Sequence, residues 1–391
     1  MFLANIGELT TNDGPTVSDA AVAIEDDTIV YAGPSGDAPS PKGELIDCEG
    51  AAVLPGFVDA HTHLVFAGDR SGEFARRLAG ESYAQIAESG GGILSTVEAT
   101  RNASEEYLYE KAAARAWRMI GAGTTTIEIK SGYGLDVDTE LKILRVAGRI
   151  AGSLPLTVKR TFLGAHSIPG EYRDDREGYL ELLTEDMLPA AAPHADYCDV
   201  FVEDGVFDVD EARQIFSTAE ALGLKARVHA EQLTHSGGAA LAAEIGAASA
   251  DHLDHVTVDD ARGLADSGVS AVLVPGASYT LKSPPAPGPM LIDAGCDVAI
   301  ATDCNPGTSY FESMSPIISL AVVQMGLTVE QAIRAATLGG ARSLGTEDRG
   351  VLVPGAKADI IVLDAPSVAH IPYRPATQLV RVVIKDGRPV G

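Results

Sequence analysis

Basic residues are scarce in this sequence. Lys and Arg number 29 against 55 Asp and Glu, which gives the 391 residues a formal net charge of −26. Phosphate backbones are bound by clustered Lys and Arg, so this balance argues against a nucleic-acid partner. Only 9 residues are Lys. An acidic, Lys-poor surface fits either ordinary solubility or adaptation to high salt, and the sequence leaves both open.

Cysteines are few, and long apolar runs are absent. Cys48, Cys198, Cys296 and Cys304 are scattered and form no C-x-x-C pair, so we expect neither disulfides nor a Cys-rich structural zinc site. No apolar run is long enough to cross a bilayer, and the start of the chain lacks a basic segment followed by an apolar core. These features argue against a membrane protein and a secretory signal peptide. We therefore expect a reduced, cytoplasmic protein without a membrane partner.

Short strand-like segments occur at both ends of the chain. Residues 19–34, DAAVAIEDDTIVYAGP, alternate apolar and polar residues around an acidic turn. Residues 358–365 and 379–391 have the same character, and Asp386-Gly387 is a hairpin signal. We therefore predict that residues 1–55 and 346–391 pair into one small β-sandwich module.

Between these ends, residues 56–345 alternate apolar strand-like runs with helical stretches such as DTELKILRVAGRIAGS. With the run that opens in AAVLPGFVDAH, eight segments qualify as strands. Repeated βα units argue for a parallel sheet covered on both faces, and eight strands are the number that closes a TIM-like (β/α)₈ barrel. A doubly wound open sheet is the alternative. Because 46% of the residues are hydrophobic but only 5% are aromatic, we expect the core to rely on small side chains.

The same residue types follow strand after strand in this barrel segment. Catalytic residues of such barrels lie at the carboxyl ends of the strands. Six chemically useful residues occupy such ends, namely His61, His63, His166, His229, His252 and Asp303. Each one alone is explained as well by ordinary packing, but their joint placement is not. His61 and His63 are two residues apart, so their side chains share one face of an extended segment.

Three imidazoles and one carboxylate suit a single zinc or iron ion. The predicted ligands are His61, His63, His229 and Asp303. A water molecule in an open coordination position would have its pKa lowered from about 15.7 towards ~7. A second ion would need a carboxylated lysine as a bridge. Lys130 and Lys159 are the candidates, and since neither is expected to end a strand at the required place, we predict one ion.

The motifs resemble a known enzyme family. PGFVDAHTH, the mid-barrel histidine, the late TD and the terminal GVLVPGAKADIIVLD resemble the amidohydrolase superfamily. HTHLVFAGDR, KSGYGL, FLGAH, HAEQ, SADHL and TDCNPGTS narrow the resemblance to its imidazolonepropionase family, across essentially the whole chain. The resemblance implies hydrolysis of the cyclic amide of 4-imidazolone-5-propanoate to N-formimidoyl-L-glutamate, the third step of histidine degradation, by hydroxide on a zinc or iron ion. It also implies a homodimer.

The resemblance further implies a substrate site. Carried over motif by motif, its residues are Arg70, Tyr83, Tyr133, His166, Gln232, Asn305, Gly307 and Thr308. Arg70 offers a fork of N–H donors to the propionate, and an ion pair with Asp69 or Glu73 is its alternative role. His252 is the expected oxyanion partner and Asp303 the expected proton carrier, both catalytic. Some relatives carry Glu at the position of Gln232, and an amide cannot act as a base, so the identity of the base stays open.

Two other functions stay open on the sequence alone. A deaminase of the same superfamily would use a similar metal site but would need no arginine for a propionate. A metal-free scaffold protein would be expected to have lost ligands, whereas all four are present here.

Overall fold

Both modules expected from the sequence are present. The computed structural model describes residues 1–81, 91–346 and 348–390. Within these ranges, one sheet of eight parallel strands forms the barrel, and a second eight-stranded sheet is built from the two chain ends. These sheets confirm the predicted fold class, while the domain boundaries at residues 56 and 345 stay a prediction.

The terminal sheet pairs strands from the beginning and the end of the chain. Its strands are β1 (Phe2–Leu9), β2 (Val17–Glu25), β3 (Thr28–Pro34), β4 (Leu45–Asp47), β5 (Ala52–Pro55), β14 (Ile360–Leu363), β15 (Val380–Lys385) and β16 (Arg388–Val390). Their order is β16-β15-β14-β5-β1-β2-β3, with β4 also paired to β1. Buried side chains from both halves of this sheet form one hydrophobic core.

The barrel strands follow one another in chain order and pair in parallel. They are β6 (Phe57–Asp59), β7 (Thr124–Lys130), β8 (Thr157–Ala165), β9 (Tyr197–Val202), β10 (Lys225–Ala230), β11 (Ser249–His252), β12 (Ser270–Leu273) and β13 (Val298–Ile300). All seven residues of β7 are buried. A parallel strand covered on both faces has no solvent side, so even the polar and charged residues of TTTIEIK lie in the interior.

Gly56 separates the two modules. The sequence predicted a single strand through AAVLPGFVDAH, but β5 ends at Pro55 in the terminal sheet and β6 begins at Phe57 in the barrel. A Cβ atom on Gly56 would lie 2.3 Å from Thr125 Oγ1. Only glycine therefore allows the chain to pass this close to β7 as it changes sheets.

Several helices begin at residues whose side chains cap the first turn. The Asp136 side chain accepts a hydrogen bond from Thr139 N at 2.7 Å, and Asp208 forms a reciprocal capping box with Glu211. Each such cap contributes about 1 kcal/mol. The α-helices are Ser71–Leu78, Ile93–Asn102, Glu105–Gly121, Val137–Ser153, Arg176–Glu181, Leu188–Ala191, Val209–Ala221, Gly238–Ile245, Val258–Asp266, Pro275–Leu281, Gly288–Asp293, Met314–Val323, Val329–Arg334, Gly340–Ser343 and His370–Tyr373. Among the described residues, no helix combines the length and apolarity that crossing a membrane requires.

The barrel closes through contacts between the first and the last of its strands. Asp59, which ends β6, accepts hydrogen bonds from Thr302 N at 2.9 Å and from Thr302 Oγ1 at 2.6 Å. One residue further on, Asp303 N donates to His61 O at 2.9 Å. The seam of the barrel therefore joins two of the predicted metal ligands, although they lie at opposite ends of the barrel sequence.

Candidate functional site

The predicted site residues come together at one end of the barrel. His229 lies within the last two residues of β10, and His252 is the last residue of β11. His61 and His63 follow β6, and Asp303 follows β13. All five side chains are buried. Carboxyl ends of parallel strands meet at one face of a barrel, which is why residues so distant in the chain become neighbours.

Three histidines are spaced as ligands of one ion. His61, His63 and His229 each offer a ring nitrogen, and these atoms all lie within 4.8 Å of one another. Asp303 does not belong to this mutually close group, but its Oδ1 atom lies 3.6 Å from His61 Nε2 and 3.5 Å from His63 Nε2. Ligands about 2.1 Å from a tetrahedral ion lie roughly 3.4 Å apart. The spacing around Asp303 therefore fits a shared cation.

The protonation of these groups also fits a metal. Burial holds the pKa of His61 and His63 well below the usual value, so both imidazoles are neutral, as metal binding requires. Within the described ranges, His61 Nε2 and both ring nitrogens of His229 are buried without a hydrogen-bond partner. Burial raises the pKa of Asp303 well above its usual value. A cation beside this carboxylate would favour its charged form, so the site suits an ion electrostatically.

Two of the site residues have a left-handed backbone conformation. Asp303 has a φ of 49° and His252 a φ of 79°, values in the left-handed region that residues other than Gly and Asn rarely adopt. Such conformations cost on the order of 1–3 kcal/mol each and persist where surrounding contacts enforce them. One such contact is the hydrogen bond from Asn305 Nδ2 to Asp303 O at 2.7 Å.

His252 and His166 flank the three histidines. The His252 ring centroid lies 5.3 Å from that of His61 and 5.2 Å from that of His229. His166 stacks on His63, with ring centroids 4.8 Å apart, and its Nδ1 lies 2.9 Å from Gly132 O. Burial lowers the pKa of His166 to about 3, so the ring is neutral. Because a carbonyl only accepts, Nδ1 carries the proton, and Nε2 of His166 is left as an acceptor.

Tyr133 continues this row of rings. Its centroid lies 5.7 Å from that of His63 and 5.4 Å from that of His166. Burial raises the pKa of the Tyr133 phenol, so its hydroxyl stays a hydrogen-bond donor. The Tyr133 hydroxyl therefore offers a hydrogen-bond donor, and His166 Nε2 offers an acceptor beside it. Both lie next to the candidate metal ligands.

Arg70 forms an ion pair with Glu73 through one edge of its guanidinium group. Its Nε and Nη2 atoms donate hydrogen bonds to Glu73 at 2.9 and 2.5 Å. The ion pair with Glu73, which the sequence offered as an alternative role for Arg70, is therefore present. Its Nη1 atom lies against Gly307, where an added Cβ would come within 2.4 Å. Glu73 therefore takes the Nε/Nη2 edge of the guanidinium, and Nη1 faces Gly307.

The loop Asn305–Ser309 carries the remaining predicted substrate residues. Asn305 Oδ1 accepts hydrogen bonds from Gly307 N and Thr308 N, both at 2.8 Å. The Asn305 side chain thus fixes the loop and ties it to Asp303. Gln232 is half-buried, and Tyr83 lies outside the described residues. The roles of these residues in binding substrate stay predictions.

Lys130 and Lys159, the two lysines considered as a bridge to a second ion, lie on adjacent strands. Lys130 is the last residue of β7, whereas Lys159 lies within β8. Burial alone would lower the pKa of Lys130, but neighbouring carboxylates outweigh that effect and the pKa is raised. These carboxylates favour the charged ammonium form of Lys130 over the free amine that carboxylation needs.

A layer of buried charges beneath the histidines was missed by the sequence reasoning. It consists of Glu128, Lys130, Asp199, Arg227 and Asp251. The spacing of charged residues in two strands indicated this layer. Glu128 and Lys130 are two residues apart in TTTIEIK, and Arg227 and His229 are two residues apart in KARVHA. Charged residues at every second position of an otherwise apolar strand point to one face, which here is the barrel interior.

Comparison with known proteins agrees with this site. The amidohydrolase family pattern matches residues 52–390. Imidazolonepropionase from Salinispora arenicola is 48% identical over 397 residues, covering 100% of this chain and 98% of that protein. Imidazolonepropionase from Myxococcus xanthus is 48% identical over 376 residues, covering 94% of this chain and 89% of that protein.

Solved structures share the architecture at much lower identity. The 5-methylcytosine deaminase from Klebsiella pneumoniae with phosphonocytosine superposes with a TM-score of 0.79 at 18% identity, covering 100% of this chain and 98% of that chain. An adenosine deaminase from Xanthomonas campestris with bound zinc gives 0.72 at 20% identity, covering 99% and 92%. These likenesses show the fold alone. By its sequence relatives, the chain belongs to the amidohydrolase family and, within it, to the imidazolonepropionases.

Proposed function

We propose that this protein hydrolyses the cyclic amide of 4-imidazolone-5-propanoate to N-formimidoyl-L-glutamate, the third step of histidine degradation. The observation that carries the proposal is the combination of a buried His61–His63–His229 cluster beside Asp303 with an arginine edge at Gly307. The cluster suits a hydrolytic metal ion, and the arginine suits a substrate with a carboxylate tail.

The four predicted ligands would hold one zinc or iron ion. When bound, the ion would lower the pKa of a water molecule towards ~7 and polarise the ring carbonyl. The amidohydrolase superfamily is metal-dependent, and the burial and neutrality of His61 and His63 are consistent with that role. The choice of one ion, and of zinc or iron, is part of the proposal.

Hydrolysis adds one water molecule across the ring C–N bond next to the carbonyl. Asp303 takes a proton from the attacking water and passes it to the leaving ring nitrogen, so the carbonyl carbon becomes a carboxylate carbon and the ring opens. The neutral His252 donates a hydrogen bond to the oxygen that becomes negative during the attack. Gln232 takes no proton, because an amide has no basic site at neutral pH.

The remaining groups orient the substrate. The Nη1/Nη2 edge of Arg70 and the Tyr133 hydroxyl bind the propionate, and Nε2 of His166 accepts a hydrogen bond from a ring N–H. Gln232 and the loop with Asn305, Gly307 and Thr308 complete the pocket, together with Tyr83. Fixing the ring in this way brings the carbonyl near attack distance, which is a major source of rate enhancement.

The role of Arg70 can be tested with Arg70→Lys. Lysine keeps a positive charge for Glu73 but lacks the second donor edge, so kcat/KM for imidazolone propionate should fall about 10- to 100-fold, mostly through KM, since a charge-assisted hydrogen bond contributes about 1.5–3 kcal/mol. Steady-state kinetics measure this effect. The control is Arg213→Lys, because Arg213 forms an Arg–Glu pair with Glu244 at the exposed surface.

A substrate that lacks the propionate chain provides a second test of the role of Arg70. An imidazolone without the propionate chain should be hydrolysed at similar, low kcat/KM by the unaltered protein and by Arg70→Lys. If Arg70→Lys instead kept the KM of the unaltered protein for the full substrate, Arg70 would not bind the propionate.

The proposal also includes the cellular location, the oligomeric state and the partners of the enzyme. We place it in the cytoplasm as a homodimer acting on a small molecule, with no nucleic-acid or membrane partner. The acidic composition, with a net charge of −26, is what carries the argument against nucleic acid.

A further inference from the structure

Five charged side chains lie in the barrel interior directly beneath the histidines. Glu128, Lys130, Asp199, Arg227 and Asp251 have side chains with 0% exposure. Burying charged groups is costly unless each is paired and hydrogen-bonded. A charged layer in a place where apolar residues would pack well therefore points to a role besides filling the core.

Lys130 lies at the centre of this layer. Its Nζ atom is 2.8 Å from Glu128 Oε1, 2.7 Å from Asp199 Oδ2 and 3.3 Å from Asp251 Oδ2. An ammonium group has three N–H donors, so these three carboxylates use all of them. Arg227 contacts two of the same carboxylates. Its Nε atom is 3.1 Å from Glu128 Oε1, and its Nη2 atom is 3.4 Å from Asp251 Oδ2.

Two of these carboxylates also touch predicted metal ligands. Asp251 Oδ2 accepts a hydrogen bond from His61 Nδ1 at 2.7 Å, and Asp199 Oδ2 lies 3.0 Å from His229 Nδ1, at ion-pair distance but outside hydrogen-bond geometry. A carboxylate at Nδ1 fixes the tautomer of the ring and directs its other nitrogen at a metal. The oxygen atoms that contact the histidines are the same ones that contact Lys130. One ammonium group thus connects two histidine–carboxylate pairs that come from different strands.

We propose that Lys130 is a positioning residue that holds Asp199 and Asp251 together, so that His61 and His229 direct their free ring nitrogens at one shared ion. Without the ammonium, two carboxylates that both lie within 3.3 Å of its position would repel each other in a medium of low dielectric constant. Their movement would turn both imidazole rings at once. The inference rests on the metal site of the proposed function.

The test is the Zn²⁺ affinity of the whole protein, measured without substrate by competition with a chromophoric chelator. Lys130→Met should bind Zn²⁺ about 10- to 100-fold more weakly than the unaltered protein. Lys130→Arg, which keeps a cation, should recover part of the loss. Lys225→Met makes the same chemical change at the exposed start of β10 and should leave the affinity unchanged.

A second readout separates positioning from a general loss of stability. The visible spectrum of bound Co²⁺ reports the arrangement of its ligands, so Lys130→Met should change it and Lys130→Arg should restore it. The double variant Glu128→Gln/Lys130→Met removes one negative and one positive charge, which leaves the buried net charge as it was. It keeps Asp199 and Asp251 without the ammonium, and should show the same loss of Zn²⁺ affinity even if Lys130→Met alone fails to fold.

The outcomes distinguish this inference from the proposed function. A folded Lys130→Met or double variant that binds Zn²⁺ within two-fold of the unaltered protein overturns the positioning role and leaves the metal site standing. An unaltered protein that binds no Zn²⁺ overturns the metal site and this inference together. A shift of affinity as expected, in a protein that does not hydrolyse imidazolone propionate, supports the inference and rejects only the proposed substrate.

Discussion

Asp303→Asn is expected to lower kcat for imidazolone propionate by about 10³-fold or more. Asn keeps the shape of the side chain but carries no charge and accepts no proton, so it weakens a metal ligand and removes the proton carrier together. The fold should survive, because Asn tolerates the left-handed φ of 49° at this position. The hydrogen bond from Asn305 to the main-chain oxygen of residue 303 is also kept.

The measurement is kcat together with the metal content of the purified variant. Asp26→Asn is a matched control, because Asp26 is exposed and also has a left-handed φ, of 55°, far from the site in the β2–β3 turn. It should keep full activity. An Asp303→Asn variant that retained more than a tenth of kcat would show that Asp303 is neither an essential ligand nor the proton carrier.

His252→Ala is expected to lower kcat by about 10²- to 10³-fold with little change in KM. Removing one donor to a developing oxyanion has an effect of this size, because the interaction is stronger in the transition state than in the bound substrate. Burial holds the pKa of His252 well below its usual value, so the ring donates as a neutral imidazole. The loss should therefore be much the same at every pH at which the enzyme is folded.

Steady-state kinetics of His252→Ala and His252→Asn test this role, since asparagine restores a donor and should recover part of kcat. His235→Ala serves as the control, because His235 is exposed and pairs with Asp260 outside the site. Wild-type kcat in His252→Ala would remove His252 from the mechanism and leave oxyanion stabilisation to other groups.

Much of the barrel and its rim could be predicted from the sequence. The strands are recognisable because short runs with apolar and β-branched residues alternate with helical stretches along residues 56–345. His61, His229 and Asp303 could be placed together because the carboxyl ends of parallel strands share one face. The terminal hairpin follows from Asp386 and Gly387, whose φ values of 47° and 74° are those of a type I′ turn.

Other features depend on contacts that a sequence does not display. The close approach of Gly56 to Thr125 is one of them, and the pairing of Arg70 with Glu73, which depends on how the first βα segment folds back, is another. The sequence also did not show that Lys130 ends β7 inside the barrel. Its buried charge is compensated there by Glu128 of the same strand and by Asp199 and Asp251, which lie on β9 and β11.

The central claim is that a single cation held by His61, His63, His229 and Asp303 enables this protein to open an imidazolone ring. The most direct test follows the loss of ultraviolet absorbance of freshly prepared 4-imidazolone-5-propanoate with the purified protein, before and after removal of its metal. We predict rapid loss with the metal-loaded protein, none after treatment with a chelator, and recovery on adding Zn²⁺ or Fe²⁺. Unchanged hydrolysis by protein shown to be metal-free, or none with any of these ions, would contradict the account.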